Sequence, residues 1–326
     1  MKNFIVALFC VPLLALTTGV NAQQNYPQRT IRLIVPFAPG GASDFSARII
    51  SQALSEELKQ SVVIDNKGGA AGNIGMEAAA RATPDGYTLF FGNVGTISIN
   101  PSVFGATLKV KPAEDFIPIT KVVDVPSVLV VNSEIPSSTV KEFVNYAKTQ
   151  KRELNFGSSG SGSLNSLEML SLMKEAKINM TQVPYKSGAG QAITNLIGGQ
   201  IDVMFVTLPS AIGYIKSNKI KALAVTSTNR LEQLPSVPTL IEQGYPSRVS
   251  SSWQGIFAPR DTPPEIVNTL FTALTKVLAQ KSVQEKLATS GTIAAGSPSP
   301  EAFGAYVKAE TSRWGKAVRE IEIELP

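Results

Sequence analysis

The sequence predicts an α/β chain folded as two lobes, and three observations carry the prediction. Short β-rich runs alternate with helical ones, glycine-rich turns sit where strands give way to helices, and 326 residues are more than one core usually serves. Such alternation argues for mostly parallel sheet with helices on both of its faces.

Residues 30–37 read as a strand, followed by Pro39-Gly40-Gly41 and a helix over 43–58, in which Phe45, Ile49, Ala53 and Leu58 recur at near-helical spacing. Residues 62–65 are strand-like, a glycine-rich turn leads to an alanine-rich helix over 75–82, and 87–91 form a buried strand. The middle repeats the theme, with strands over 127–131 and 154–156 and a helix over 139–149. After a small-residue loop, Leu164, Leu167, Leu170 and Met173 trace the apolar face of another helix. Two more strand–helix steps pass through 201–206 and 221–226. The C-terminal part is mainly helical, over 264–280 and 300–322, and Pro263 and Pro264 suit a helix start, where a missing N–H costs little. Segments 121–128 and 249–257 are extended, β-branched and hydroxyl-rich. They are candidate crossovers into a second lobe and back, forming a hinge. Lobe one then comprises 23–125 and 250–326, and lobe two 126–249; two consecutive domains are the alternative.

The first 22 residues read as a secretory signal peptide: Lys2, an apolar run over 4–16, and small residues at Val20-Asn21-Ala22. A membrane anchor needs about 20 continuous apolar residues, and Thr17, Thr18 and Asn21 interrupt the run first. The only cysteine, Cys10, lies in this leader, and the chain has no histidine. Histidine-dependent triads, cysteine nucleophiles and thiolate or imidazole metal sites are therefore excluded from the mature chain, and no catalytic residue, metal or cofactor is assigned. Of 30 basic residues only Lys2 lies in the leader, so 29 remain against 25 acidic ones, a net charge of +4. The charges are scattered, which argues against nucleic-acid binding.

Three glycine-rich segments and one aromatic pair bear on function. In Pro36-Phe37-Ala38-Pro39-Gly40-Gly41-Ala42-Ser43-Asp44, two glycines allow a tight turn into a helix whose first N–H groups lack partners. A carboxylate or phosphate docks at such an end; the plainer alternative is a turn with Ser43 as N-cap. Asp44 stabilises the first helical turn, yet repels an anion unless it faces away or meets a ligand ammonium. Asn155-Phe156-Gly157-Ser158-Ser159-Gly160-Ser161-Gly162-Ser163 offers amides and hydroxyls, neutral donors that hold an anion without a buried countercharge. The run from Asn66 to Gly75 fits neither GxGxxG nor GxxxxGK[ST] and reads as a close-packed structural turn. Pro184-Tyr185-Lys186 places an aromatic beside a cation.

Taken in order, these motifs resemble the substrate-binding receptors of tripartite tricarboxylate transporters, the Bug family. The resemblance begins at Tyr26-Pro27 and includes Ile31 to Asp44, Asn66 to Gly75, Pro84-Asp85-Gly86-Tyr87-Thr88-Leu89 and the serine-glycine loop. It continues through Val183-Pro184-Tyr185-Lys186, Gly198-Gly199-Gln200-Ile201-Asp202, Leu234-Pro235-Ser236-Val237-Pro238-Thr239 and Trp253-Gln254-Gly255. It implies a two-lobed periplasmic-binding-protein fold of the type with two crossovers, closing on its ligand, and a periplasmic location. It also implies that Pro39, Gly40, Gly41 and Asp44 of one loop face Ser158, Ser159, Gly160, Gly162 and Ser163 of the other across a cleft. Ala38 and Lys186 flank these loops, and Phe37, Asn93 and Tyr185 are expected to set specificity. Ser166 stands where the family commonly has histidine, Gly68 where proline is usual, Ser187 where glycine is frequent and Asn195 where aspartate is frequent.

The leading expectation is thus a monomeric receptor that captures a small carboxylate and delivers it to the permease subunits of a tripartite tricarboxylate transporter. A sensory binding protein presenting the ligand to a signalling receptor is a second class. A secreted α/β enzyme is a third, weakened by the absence of histidine and cysteine.

Overall fold

Strands of this chain are short and apolar because most are buried on both faces, and the helices between them supply the cover. The computed structural model describes residues 26–160, 162–185 and 189–321; the expected leader, 1–22, and Lys186 lie outside them. The chain opens with β1 (Ile31–Val35), α1 (Ala42–Leu58), β2 (Val62–Asn66), α2 (Asn73–Ala80) and β3 (Thr88–Asn93). Two short helices, α3 (Asn100–Phe104) and α4 (Pro112–Asp115), precede β4 (Phe116–Asp124). Then come β5 (Ser127–Asn132), α5 (Val140–Thr149), β6 (Leu154–Ser158), α6 (Leu164–Ala176), β7 (Met180–Pro184), α7 (Ala189–Ile197), β8 (Val203–Thr207), α8 (Leu208–Lys216) and β9 (Ile220–Val225). After residues 226–253 follow β10 (Gln254–Pro259), α9 (Pro264–Ala279), α10 (Lys281–Ala288), β11 (Ile293–Ala294) and α11 (Pro300–Ile321). Local signals start these helices where expected: Thr139 caps α5, its hydroxyl accepting from the Glu142 N–H at 3.1 Å.

Two sheets result, ordered β11-β4-β10-β3-β1-β2 and β7-β6-β8-β5-β9. The expectation of mostly parallel sheet needs correction. β1 pairs parallel with β2 and β3, and β6 with β7 and β8, but β10 is antiparallel to β3 and β4, β11 to β4, and β5 to β8 and β9. The cause is the double crossing. β5 enters the second sheet and β10 re-enters the first, so each runs away from the junction while its neighbours run toward it. The crossings are also tighter than the extended segments in the sequence: β4 continues to Asp124 and β5 begins at Ser127, leaving only Val125 and Pro126 between sheets. The second passage ends at Gln254, the first residue of β10. β7 carries no signal of its own in the sequence. Its Thr181 and Gln182 are polar and it ends in Pro184, features tolerated because it is an edge strand.

Each sheet has an apolar cluster on both faces. One of them spans the lobes. Leu164 and Leu167 of α6, beyond the first sheet, pack with Val103 of α3, Trp253 and Trp314 of α11. Full burial of a leucine contributes about 1.5–3 kcal/mol, so this patch is a substantial part of what sets the lobes against each other.

Close packing also reaches the run from Asn66 to Gly75, which ends inside α2. A Cβ on Gly75 would lie 2.7 Å from the Lys67 carbonyl oxygen and 2.9 Å from Pro36 Cα, both backbone atoms that cannot step aside cheaply. Gly75→Ala should therefore cost about 1–3 kcal/mol, measured as a lower urea midpoint; an unchanged midpoint would mean that the turn is slack.

Candidate functional site

The β1–α1 loop is built around a buried carboxylate. Gly40 takes a φ of +87°, a left-handed conformation that glycine adopts without a Cβ clash. Gly41 is the N-cap of α1 and caps with no side chain, so Ser43 is not the cap that the plainer reading expected. Instead Ser43 Oγ accepts from Gln254 Nε2 at 3.1 Å, which ties the start of α1 to the returning strand β10. Asp44 is 4% exposed. Its Oδ2 accepts from the Gly40 N–H and Arg48 Nε, both at 2.9 Å, and its Oδ1 from Arg48 Nη2 and Asn66 Nδ2, both at 3.0 Å. Asn66 Nδ2 also donates to the Phe37 carbonyl at 3.0 Å.

Of the two roles open to Asp44, the structure selects the inward one. Burial pushes its carboxyl up, but the hydrogen bonds from Arg48, Gly40 and Asn66 and the Arg48 charge outweigh burial and hold it below the ordinary carboxylate range. Its negative charge is thereby matched from within, and the Gly40 amide is committed to it. Ala38, Pro39 and Gly41 remain exposed and Phe37 is half-buried. The first amides of α1 have no intrahelical partner. Beside this loop, Asn93 stands opposite Gln254 in the β3–β10 pair. Its Oδ1 accepts from the Thr96 N–H at 2.9 Å and from Thr96 Oγ1 at 3.1 Å, so the side chain shapes the turn that follows β3.

The β6–α6 loop is also self-braced. Ser158 is 1% exposed, and its Oγ accepts from the Gly160 N–H at 3.1 Å and from Gln182 Nε2 at 2.7 Å. Ser163 is the N-cap of α6, accepting from the Ser166 N–H at 3.3 Å. Gly160 and Gly162 take φ of +113° and +77°, and Ser159 is exposed. A Cβ on Gly162 would lie 2.7 Å from Val103 Cγ1, which puts this loop directly against α3 of the first lobe. From α3, Asn100 Nδ2 donates to Asn73 Oδ1 at 2.6 Å and the Ala71 carbonyl at 3.1 Å, within the glycine-rich turn that supports the first loop. The two loops are thus linked through α3, and among the described residues no hydrogen bond joins them directly.

Tyr185, expected to set specificity, is turned into the core. It is 7% exposed and packs in the second lobe's core, with its Oη accepting from Asn195 Nδ2 at 2.9 Å. An amphipathic ring with one polar tip is well suited to that place. Sequence reasoning gave Arg48, Asn66 and Gln254 no role at this loop. The Asp44–Arg48 spacing of four was a usable signal; Asn66 and Gln254 stood within motifs of the resemblance, but nothing local showed that they reach this loop, since only the fold brings them there.

Residues 46–323 match the tripartite tricarboxylate transporter family receptor. Protein BugT of Bordetella pertussis is 34% identical over 333 residues, covering 99% of each chain. Among solved structures, MatC of Rhodopseudomonas palustris with bound malate is 33% identical at a TM-score of 0.79, covering 90% of this chain and 100% of that one. A second R. palustris protein, solved with adipate, is 35% identical at a TM-score of 0.84, covering 92% and 99%.

The brace at Asp44 is open to test. Asp44→Ala leaves the Gly40 and Asn66 donors without their acceptor and should lower stability by about 2 kcal/mol at pH 7. A carboxyl held low when folded stabilises fully above about pH 4 and loses that contribution as pH falls through its folded value. The gap between wild type and variant in urea denaturation should therefore close toward pH 3. A gap constant from pH 7 to pH 3 would assign the loss to packing instead of charge.

Proposed function

The chain belongs to the tripartite tricarboxylate transporter receptor family, and we propose that it captures a small carboxylate between its two lobes. It is a binding receptor and not an enzyme. What supports the ligand class is the β1–α1 loop: its own carboxylate is satisfied from within, so the N-terminus of α1 keeps its unpartnered amides and partial positive charge for an anion. The malate and adipate held by two relatives of similar length belong to the same chemical class.

In this reading the ligand lies between lobe one, 23–125 and 250–326, and lobe two, 126–249. Gly41 and the first amides of α1 bind one carboxylate, with Phe37, Ala38 and Pro39 as the adjoining wall. Ser159 and Gly162 approach from the other lobe. Gly40, Asp44, Ser158 and Ser163 hold the loops in shape, Asn93 offers its Nδ2, Tyr185 stiffens the second loop from behind, and Lys186 contributes positive charge. Closure excludes water and strengthens each amide–carboxylate bond. After cleavage of residues 1–22 the monomer works in the periplasm and passes its ligand to the permease subunits of its transporter.

Thermal unfolding against mono-, di- and tricarboxylates tests the class. A carboxylate at 100 times its Kd should add about 2.7 kcal/mol, and stabilisation by neutral sugars alone would reject the proposal. Gly41→Pro tests the loop. Gly41 has a φ of −84°, near the value proline imposes, so the substitution chiefly removes one N–H. Carboxylate affinity should fall about tenfold, the equivalent of about 1.4 kcal/mol; unchanged affinity would clear this amide of a role.

A further inference from the structure

The place where the chain crosses between sheets contains a carboxyl group that ligand binding does not use. Glu168 of α6 is 6% exposed. Its Oε1 accepts from Ser250 Oγ on the second crossover at 2.6 Å, and Asn165 Nδ2 stands 3.5 Å from Oε2. The Ser127 hydroxyl, at the end of the first crossover, is close enough to favour the ionised form of this carboxyl, yet it is buried and makes no hydrogen bond. A carboxyl that keeps its proton has an O–H needing an acceptor, and Ser127 Oγ is a buried acceptor without a partner. The surroundings leave room for movement. A cavity of about 70 Å³ is lined by Glu168, Thr226, Arg248, Ser250 and Trp314, and one of about 320 Å³ also borders Ser250.

We propose that Glu168 is a proton-operated latch on the hinge. As the neutral acid it donates to Ser127 and accepts from Ser250, tying α6 to both crossovers. On losing its proton to solvent it no longer donates, and although Ser127 and Ser250 can both donate to the carboxylate, the buried charge favours a more open, hydrated arrangement of the lobes.

The electrostatics support this assignment. Burial pushes the Glu168 carboxyl up to about 7, against the opposing pull of Ser250, Ser127, Arg313 and Asn165. The charged groups around it are largely committed elsewhere. Arg313 of α11 is bonded to Glu310 and to the Val249 carbonyl. Arg248, just before the second crossover, pairs with Glu175 of α6, and Lys121 of β4 pairs with Asp124, beneath Tyr306 of α11. From β8 and the end of β9 the cavity wall receives Phe205 and the neighbouring Thr226, which do not titrate. A folded-state value raised above the ordinary range means that the latched form binds its proton more tightly than an opened, hydrated one. The latch is therefore fully set below about pH 4.3 and is lost as pH rises through about 7.

The test uses the ligand-free full mature chain, so its outcome does not depend on which solute is bound; it rests only on the two-lobed part of the reading above. Tryptophan emission, from Trp253 and from Trp314 in the cavity wall, and the radius of gyration by X-ray scattering are followed from pH 5 to 8.5. Wild type should expand in a single one-proton transition, its latched-to-open ratio falling by up to tenfold per pH unit. Glu168→Gln, neutral and able both to donate and to accept, should stay latched throughout. Ser250→Ala, which removes a donor to the ionised form, should move the midpoint to higher pH and serves if the first variant does not fold. A transition retained in Glu168→Gln, an unmoved midpoint in Ser250→Ala, or no transition in wild type would overturn the latch.

Discussion

Two sheets of one chain keep a defined relation only if both connections between them are held at one place, and here a single hydroxyl lies between the two. Thr226 Oγ1 accepts from the Ser127 N–H at 3.0 Å and donates to the Ser250 carbonyl at 2.8 Å. The Ser252 N–H reaches the Val125 carbonyl at 2.9 Å beside it. The crossovers therefore behave as one short joint and not as two independent tethers. Together with the apolar patch between α6 and the first lobe, that joint sets where the β1–α1 and β6–α6 loops stand.

Both loops obey the same economy of charge. Each begins at the end of a strand, turns on glycines with positive φ and enters a helix, and each shares its acceptors between a loop amide and a side chain from elsewhere, Asp44 with Gly40 and Asn66, Ser158 with Gly160 and Gln182. Asp44 in particular shows how a negative charge can sit within a loop proposed to bind an anion. Three neighbouring groups feed it hydrogen bonds from the inner side, and the adjacent helix terminus retains its unpartnered donors. Rigidity of this kind lowers the cost of ordering the loops when a ligand arrives.

The candidate site was legible unevenly, and the unevenness has a chemical cause. Glycine-rich strand-to-helix turns advertise themselves, because few other sequences turn so tightly and leave so many amides free; hence the segments at 39–44 and 158–163 stood out. The division of labour inside them did not. Whether a serine hydroxyl points to a ligand or to its own loop depends on the next donor in space, such as Gln182 for Ser158. Tyr185 illustrates the same limit: its neighbour Asn195 is ten residues away in the chain, and their contact exists only after α7 has docked on β6.

Periodicity and turn chemistry, which are local, determined from sequence alone that this is an α/β chain, where most of its helices lie and which loops are rich in free donors. The ordered motifs added the family and hence the two-lobed fold. Tertiary structure decided what local signals cannot carry: that the entering and re-entering strands run against their neighbours, that β7 closes an edge, and that Asn66 and Gln254 converge on the first loop. It also decided that Glu168, an unremarkable acid within a helix, is buried between two crossovers. Hydrogen bonds and burial of that kind join residues tens or hundreds of positions apart, and only the folded chain brings them within reach.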